Sequence, residues 1–389
     1  MTDRAKDGDL TAQQIREMLA DRVETVLGRV MPGAQWRQTA TQWRCGGPHG
    51  APGTSFCVYV GSHAKAGRYR DFEGDPTGQS GSMIDLIMLV RGCDQAEAFR
   101  FAREEILGYP ARRALTAEER RRIERDKERA EERARERERR SKIDKARKAE
   151  NARELWRRVG PVRGTDGEIY FRELRGISVP APCRFVPALR YWVEGSDKKR
   201  IDLGAYPCIV TPMIADRGGQ ASLTALHLTY IDLAAPKGKL RLTHPETGEG
   251  VPAKKFRGDP ADGWIRLTSA RPVMAVAEGI ENTQSVLDAR PDWGGWCAGS
   301  SGRFGVLRFP GLVRRVVGCG ETDSGCAKDA AGNPVFKPDG SPLVPADESL
   351  RHAARLWADG GRRRVDLVWL TGDANHLTLL PGRAASGRG

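Results

Sequence analysis

The sequence lacks several features that would place it at once. No G-x-x-x-x-G-K-[ST] occurs in its 389 residues, so a P-loop motor carried on this same chain is not expected. No apolar run reaches about 18 residues, the length a membrane-spanning helix needs. The opening Met1-Thr-Asp-Arg-Ala-Lys-Asp-Gly-Asp is polar with no apolar stretch behind it, so no export signal is expected. The 8 cysteines lie scattered from Cys45 to Cys326 rather than in a dense framework. That pattern points to reduced thiols and a cytoplasmic setting, with no membrane partner. No internal repeat of fixed period is present.

Positive charge is in excess. Lys and Arg number 64 against 51 Asp and Glu, a net charge of +13, which argues for a polyanionic partner and most simply nucleic acid. The length suggests two to three domains. Composition divides the chain into three zones: residues 1–110, with mixed helix and strand signals; 111–160, almost pure charge; and the remainder, where apolar runs alternate with Gly, Pro and Asp.

The middle zone reads as one long helix. Thr116 and Glu119 have the spacing of a capping box. From Glu118 to Glu150 there are 15 Lys/Arg and 11 Asp/Glu. Opposite charges four residues apart recur at Glu131–Arg135, Glu136–Arg140 and Glu138–Lys142. Apolar residues are too sparse for a coiled-coil seam. The expectation is a solvated helical linker spanning roughly 50–60 Å at about 1.5 Å per residue.

In the first zone, Leu10, Ile15, Met18, Leu19, Val23, Val26 and Leu27 follow a helical spacing. A short β-rich part is expected after them, then helices over Ser82–Val90 and Gln95–Leu107. In the third zone, strands are expected at Cys208–Ile214, Leu223–Tyr230, Val273–Ala277, Arg315–Gly320 and Val365–Leu370. The last three are short, Val-rich and separated by helical stretches, the signature of buried parallel strands.

Two of those strands stop at acidic residues and glycine: Val273-Met-Ala-Val-Ala-Glu278-Gly279-Ile-Glu281 and Val316-Val-Gly-Cys-Gly-Glu321-Thr-Asp323. Ligands of open α/β sheets bind at the carboxyl ends of strands. Glu278, Glu321 and Asp323 on one rim would repel unless a cation neutralised them, and hard oxygen ligands select Mg²⁺ or Mn²⁺ with substrate phosphates. Gly279 would allow close approach of a phosphate. Glu281 falls on a similar helix face to Glu278, as a supporting partner or a surface residue. His227, alone in an apolar strand, is given no role. Lys328 to Leu343 reads as a long loop behind the acidic strand end, where substrate loops belong.

A strand ending in Glu-Gly, followed about forty residues later by a strand ending in Asp-x-Asp, resembles the toprim domain of bacterial-type primases, topoisomerases and some nucleases. Gly164-Thr-Asp-Gly-Glu-Ile-Tyr-Phe-Arg-Glu-Leu-Arg-Gly-Ile and Cys183-Arg-Phe-Val-Pro-Ala-Leu resemble the opening segment of phage- and plasmid-associated toprim primases. Ala225-Leu-His-Leu-Thr-Tyr, Ala253-Lys-Lys-Phe-Arg-Gly and Gly263-Trp-Ile-Arg-Leu resemble the subdomain before toprim. Trp296-Cys-Ala-Gly-Ser-Ser-Gly-Arg and Gly372-Asp-Ala-Asn-His resemble later landmarks. The resemblance covers roughly residues 160–380. It implies an RNA-polymerase-like core joining nucleoside triphosphates on a single-stranded DNA template. The metal-holding acids would be Glu278, Glu321 and Asp323, with Glu321 one carbon longer than the usual Asp. Lys254, Lys255, Arg257 and Arg266 are candidates for template or triphosphate contacts.

The N-terminal zone carries a second resemblance. Trp43-Arg-Cys45-Gly-Gly-Pro-His49 through Ser55-Phe-Cys57-Val is similar to the first half of a primase zinc ribbon, with one extra residue between Cys and His. The second Cys-x-x-Cys is replaced by Tyr69-Arg-Asp71-Phe-Glu-Gly. Structural zinc needs four ligands, so Cys45 and His49 mark a zinc site that the missing half argues against filling. Such a module would hold single-stranded template through Tyr69, Arg70 and Phe72.

The expected fold is α+β and α/β, multidomain. It comprises a zinc-ribbon-like module over 1–110, a charged helical linker over 111–160, an RNA-polymerase-like subdomain over 161–270 and a parallel toprim sheet over 271–382. The expected function is a primase of a phage, prophage or plasmid, working with a separate helicase. The alternatives are a toprim nuclease using the same acids and a catalytically decayed DNA-binding or regulatory protein. A topoisomerase fits least, since no tyrosine-bearing cleavage domain is evident.

Overall fold

The computed structural model describes residues 10–39, 41–61, 63, 65–71, 80–109, 115–195, 199–217, 220–322, 324–327, 333–337, 339–371 and 378–380. The chain divides into two compact units, one of Met1–Asp144 with Cys326–Leu343 and one of Lys145–Gly325 with Val344–Gly389. The loop expected to serve the acidic strand end thus groups with the first unit.

In the first unit, helices α1 (Ala12–Ala20) and α2 (Val23–Val30) replace the single amphipathic helix the spacing predicts. The break falls at Asp21 and Arg22, both of which are ion-paired. Asp21 lies between Arg137 at 2.6 Å and Arg133 at 3.6 Å, while Arg22 pairs with Asp126 at 2.7 Å. Both helices still bury Ile15, Met18, Leu19, Val23, Val26 and Leu27. Strands β1 (Arg37–Gln38), β2 (Gln42–Cys45), β3 (Phe56–Tyr59), β4 (Arg68–Asp71) and β5 (Ser80–Ser82) form an antiparallel meander in chain order. Helix α3 (Met83–Arg91) starts at a capping box between Ser82 and Asp85. Helix α4 (Gln95–Phe101) runs on into a π-helical turn over Ala102–Ile106.

Helix α5 (Ala117–Arg158) begins at the expected cap: the Thr116 amide donates to Glu119 at 2.8 Å and the Glu119 amide to the Thr116 hydroxyl at 3.2 Å. The three expected i,i+4 ion pairs form, at 3.4, 2.6 and 2.7 Å. The helix is nevertheless not a solvated linker. Ile123 and Ala130 are buried in the core of the first unit, and Ala152 and Leu155 in a core of the second. Asp126 also accepts from the Tyr109 hydroxyl at 2.5 Å, and the resulting phenol is pushed up to about 12 by burial and by that carboxylate. The Asp21 side chain is only 7% exposed between two arginines. Asp21→Ala should therefore destabilise the first unit by about 1–2 kcal/mol, because it removes the partner of the mostly shielded Arg137, whereas Arg133 is exposed and can turn to water. Thermal unfolding checks this, and a variant melting with the wild type would mean the pairs contribute nothing.

The second unit is built on one mixed sheet of 11 strands. Its antiparallel part comprises β6 (Gly160–Pro161), β7 (Arg184–Glu194), β8 (Arg200–Arg217), β9 (Gln220–Tyr230), β12 (Lys254–Gly258) and β13 (Trp264–Arg266), with helix α6 (Asp166–Ile169) beside it. A small ribbon of β10 (Leu242–Thr243) and β11 (Gly250–Val251) stands apart. The parallel part comprises β14 (Val273–Ala277), β15 (Gly294–Cys297), β16 (Arg315–Glu321) and β17 (Arg364–Thr371). An antiparallel β18 (Thr378–Leu380) pairs with β17. The full order is β12-β9-β8-β13-β15-β14-β16-β17-β18, with β7 also on β8. Strand β13 pairs with both β8 and β15, so the expected boundary at residue 270 falls inside one continuous sheet.

The parallel strands are covered on both faces, as their Val-rich composition requires. Ala275 and Ala277 bury with Val286 of helix α7 (Ile280–Ala289). Met274 and Val276 bury with Leu350, Ala353 and Trp357 of helix α8 (Pro345–Trp357). No helix among the described residues is long and apolar enough to cross a membrane.

Candidate functional site

Strand β14 lies between β15 on one side and β16 on the other, all three parallel. The chain goes from β14 through α7 to β15, then returns to the far side of β14 as β16. That reversal is a topological switch point, and ligands of open α/β sheets bind in the crevice outside the carboxyl ends of the strands at such a point. Ala277 pairs with Cys319, which places Glu278 beside Gly320 and Glu321 one residue beyond it. In this register β14 and β16 end at the same level of the sheet, with Glu321 turned toward α7. Asp323 lies outside the described residues.

The two acids have different surroundings. Glu278 is half-buried, and its carboxylate makes no ion pair or hydrogen bond among the described residues. Its backbone carbonyl accepts from the Gly299 amide at 2.9 Å. Glu321 accepts from the Asn282 amide nitrogen on α7 at 2.6 Å. Gly279 is the N-cap of α7, and a Cβ there would stand 3.3 Å from a Glu281 oxygen and 3.7 Å from the Lys254 ammonium. Its smallness thus makes room for an ion pair.

That pair is the part of the site the sequence understated. The Glu281 carboxylate is 8% exposed. It meets the Lys254 ammonium at 2.9 Å, the Tyr170 hydroxyl at 2.8 Å and the Arg175 guanidinium at 3.9 Å. Burial alone would raise the Glu281 carboxyl, but Lys254 and Lys239 outweigh it and hold it below its ordinary value. The Lys239 ammonium is lowered by burial and by Lys254, and it makes no ion pair among the described residues. Three cations therefore surround one carboxylate, a local excess suited to phosphate. His227 beneath them is fully buried and lowered to about 3 by desolvation and Lys254, so it stays neutral at physiological pH. Cys183 and Cys297 nearby are pushed up by burial, Cys183 to about 12, and remain thiols.

Of the four basic residues singled out by sequence, only Lys254 reaches this site. Successive residues of a strand face opposite ways, so Lys255 and Arg257 leave on the other face of β12. The Lys255 ammonium sits 3.9 Å over the Tyr191 ring and donates to the Trp192 carbonyl. Arg257 is exposed on that same face. Arg266 pairs with Asp216 at 2.7 Å and stacks near Trp264 and Trp296. The residues the sequence missed are Lys239, Arg175, Tyr170 and Asn282. Tyr170 and Arg175 lie inside the Gly164–Ile177 segment of the resemblance, but nothing in their spacing showed what they would face.

The N-terminal module also departs from expectation. Tyr69 is 5% exposed and stacks on Phe56 at 5.3 Å, so its ring is core and is closed to a base. Arg70 is half-buried on β4 opposite Cys57. Phe72 lies outside the described residues. Cys45 is fully buried, with its thiol toward the Gly47 carbonyl and pushed up by burial, whereas His49 is exposed. A metal ligand must be the thiolate, which this burial disfavours. Among the described residues no three His, Cys, Asp or Glu gather to hold a metal.

A family model described as a domain of unknown function (DUF7146) matches residues 146–267, the part of the second unit that ends with β13. None of the curated proteins matches the chain. Among solved structures, the crystal structure of the Aquifex aeolicus primase (zinc-binding and RNA polymerase domains) aligns at 12% identity over 93% of this chain and 81% of that one, with a TM-score of 0.33. At that score the likeness carries no argument for fold or activity, and the functional reading rests on the site.

Proposed function

We propose that the protein is a DNA primase, a nucleotidyltransferase that joins nucleoside triphosphates into short primers on single-stranded DNA with Mg²⁺ or Mn²⁺. The observation that supports this is the β14–β16 switch point, where Glu321 ends one strand and Lys254, Lys239 and Arg175 gather about Glu281 beside the Glu278–Gly279 turn. Two oxygen-donor carboxylates fit Mg²⁺, which is commonly held by one or two carboxylates plus substrate phosphates. Glu278 and Glu321 would hold it, with Asp323 as the third acid by resemblance to toprim primases. A bound ion would supply neutralisation of charge on the triphosphate and alignment of its reacting oxygens.

The chain's own residues divide the remaining work. Asn282 orients the Glu321 carboxylate. Lys239, Lys254 and Arg175 offer the triphosphate compensating charge, aided by the N-terminus of α7, whose cap residue has no side chain. Glu281 anchors Lys254 and limits the excess charge. Exposed Lys65 and Arg68 around Tyr59 make the first unit the part we assign to template holding. With no P-loop in the sequence, duplex opening falls to a separate helicase.

The test is synthesis on single-stranded DNA from labelled nucleotides, with Mg²⁺ and then Mn²⁺. Metal-dependent short products are expected. Metal-dependent shortening of the DNA would instead assign a nuclease. Salt-sensitive DNA binding with neither activity would assign a binding protein.

A further inference from the structure

Strand β12 forms one end of the 11-stranded sheet and projects Lys254 and Phe256 from the same face. Lys254 reaches the Glu278–Gly279 turn through its pair with Glu281. Phe256 goes to the other side of that turn. A Cβ on Gly299 would lie 3.2 Å from the Phe256 ring, and the Gly299 amide is the one bonded to the Glu278 carbonyl. Gly299 has φ +82°, a conformation that glycine adopts without strain. The ring meets His227 in a T-shaped contact at 5.5 Å, and the Arg303 guanidinium stands over one of its faces, 5.8 Å from the centroid. Arg303 is itself held in place by the Ala298 and Gly263 carbonyls. Yet Phe256 remains 37% exposed, beside a wall otherwise made of charge.

We propose that Phe256 is a stacking seat for the nucleobase of the nucleotide whose phosphates meet Lys254. This inference rests on the nucleotide-joining reading of the same site and adds the base subsite to it. Residues two apart on a strand project about 6.6 Å apart, roughly one sugar's breadth, which is how a nucleotide separates its base from its first phosphate. Arg303 covers one face of the ring, so the seat is the opposite π-face, which suits any base and favours stacking without choosing a sequence.

The test is equilibrium binding, without catalysis, of ATP and of inorganic tripolyphosphate to the full chain and to Phe256→Ala, Phe256→Trp and Lys254→Ala. Phe256→Ala should weaken ATP binding roughly tenfold and leave tripolyphosphate unchanged. Phe256→Trp should retain ATP binding, and Lys254→Ala should weaken both ligands. ATP binding that is unaffected by Phe256→Ala would overturn the proposal. So would equal loss of ATP and tripolyphosphate, or a wild type that binds neither. Phe256-dependent ATP binding in a protein that makes no primers would uphold the seat and remove the primase reading alone.

Discussion

Glu278→Gln should reduce primer synthesis by more than about a hundredfold while leaving the fold and single-stranded DNA binding intact. Glutamine keeps the shape of the side chain and removes its charge. Among the described residues the Glu278 carboxylate has no cation to release, so the substitution breaks no ion pair there. What is lost is a hard anionic donor at the strand end, and substitutions that merely disturb the support of a metal ligand already cost about 10–100-fold. Glu321→Ala should act in the same direction and would also free Asn282. Normal synthesis in Glu278→Gln would remove the β14 strand end from the reaction. Circular dichroism and a DNA-binding isotherm on the same preparation separate that outcome from misfolding.

The second large effect is on stability. Glu281→Gln should destabilise the second unit by about 3–5 kcal/mol at neutral pH, because Lys254, Arg175 and Lys239 would face one another with no carboxylate among them. In a unit of this size that is a fall in Tm of roughly 10 °C. The pH dependence follows from the direction of the shift. The Glu281 carboxyl is held below its ordinary value in the folded protein. Its contribution is therefore fully present above the unfolded-state pKa of about 4.3 and is lost as pH falls through the lower folded value. Wild-type stability should drop more steeply than that of Glu281→Gln below about pH 4, and the two should approach each other there. Combining Glu281→Gln with Lys254→Met should cost less than the sum of the single changes, since the two side chains touch. Strict additivity in that cycle would mean that the ion pair contributes nothing of its own.

The sequence was most legible where the physics is local. The Thr116–Glu119 cap and the i,i+4 pairs of α5 need only their own helix, and the Val-rich strands β14, β16 and β17 declare themselves by composition. The docking of α5 was hidden because its buried residues are too few to make a stripe and because Asp21 and Arg137 are 116 positions apart. Strand β15, Gly-Gly-Trp-Cys, went unseen because glycine is depleted in strands. Here close packing requires it: a Cβ on Gly294 would meet the Met274 sulfur at 2.4 Å, and one on Gly295 would meet Leu287 at 2.7 Å. At the candidate site, the acids were legible because they end strands. The cations were not, because which of Lys254 and Lys255 faces the crevice depends on the register of β12 with β9.

Strand β13 is only three residues long, Trp264–Arg266, yet it carries the ladder from β8 across to β15. Its amides should exchange with solvent as slowly as those of the β8 and β15 residues they face, and all three strands should lose protection in a single opening event. Cutting the chain at residue 270 would leave β15 as a bare edge on one fragment and β13 as one on the other. Each edge would present unpaired backbone groups to the next molecule, so the two fragments should aggregate apart and recover solubility when produced together.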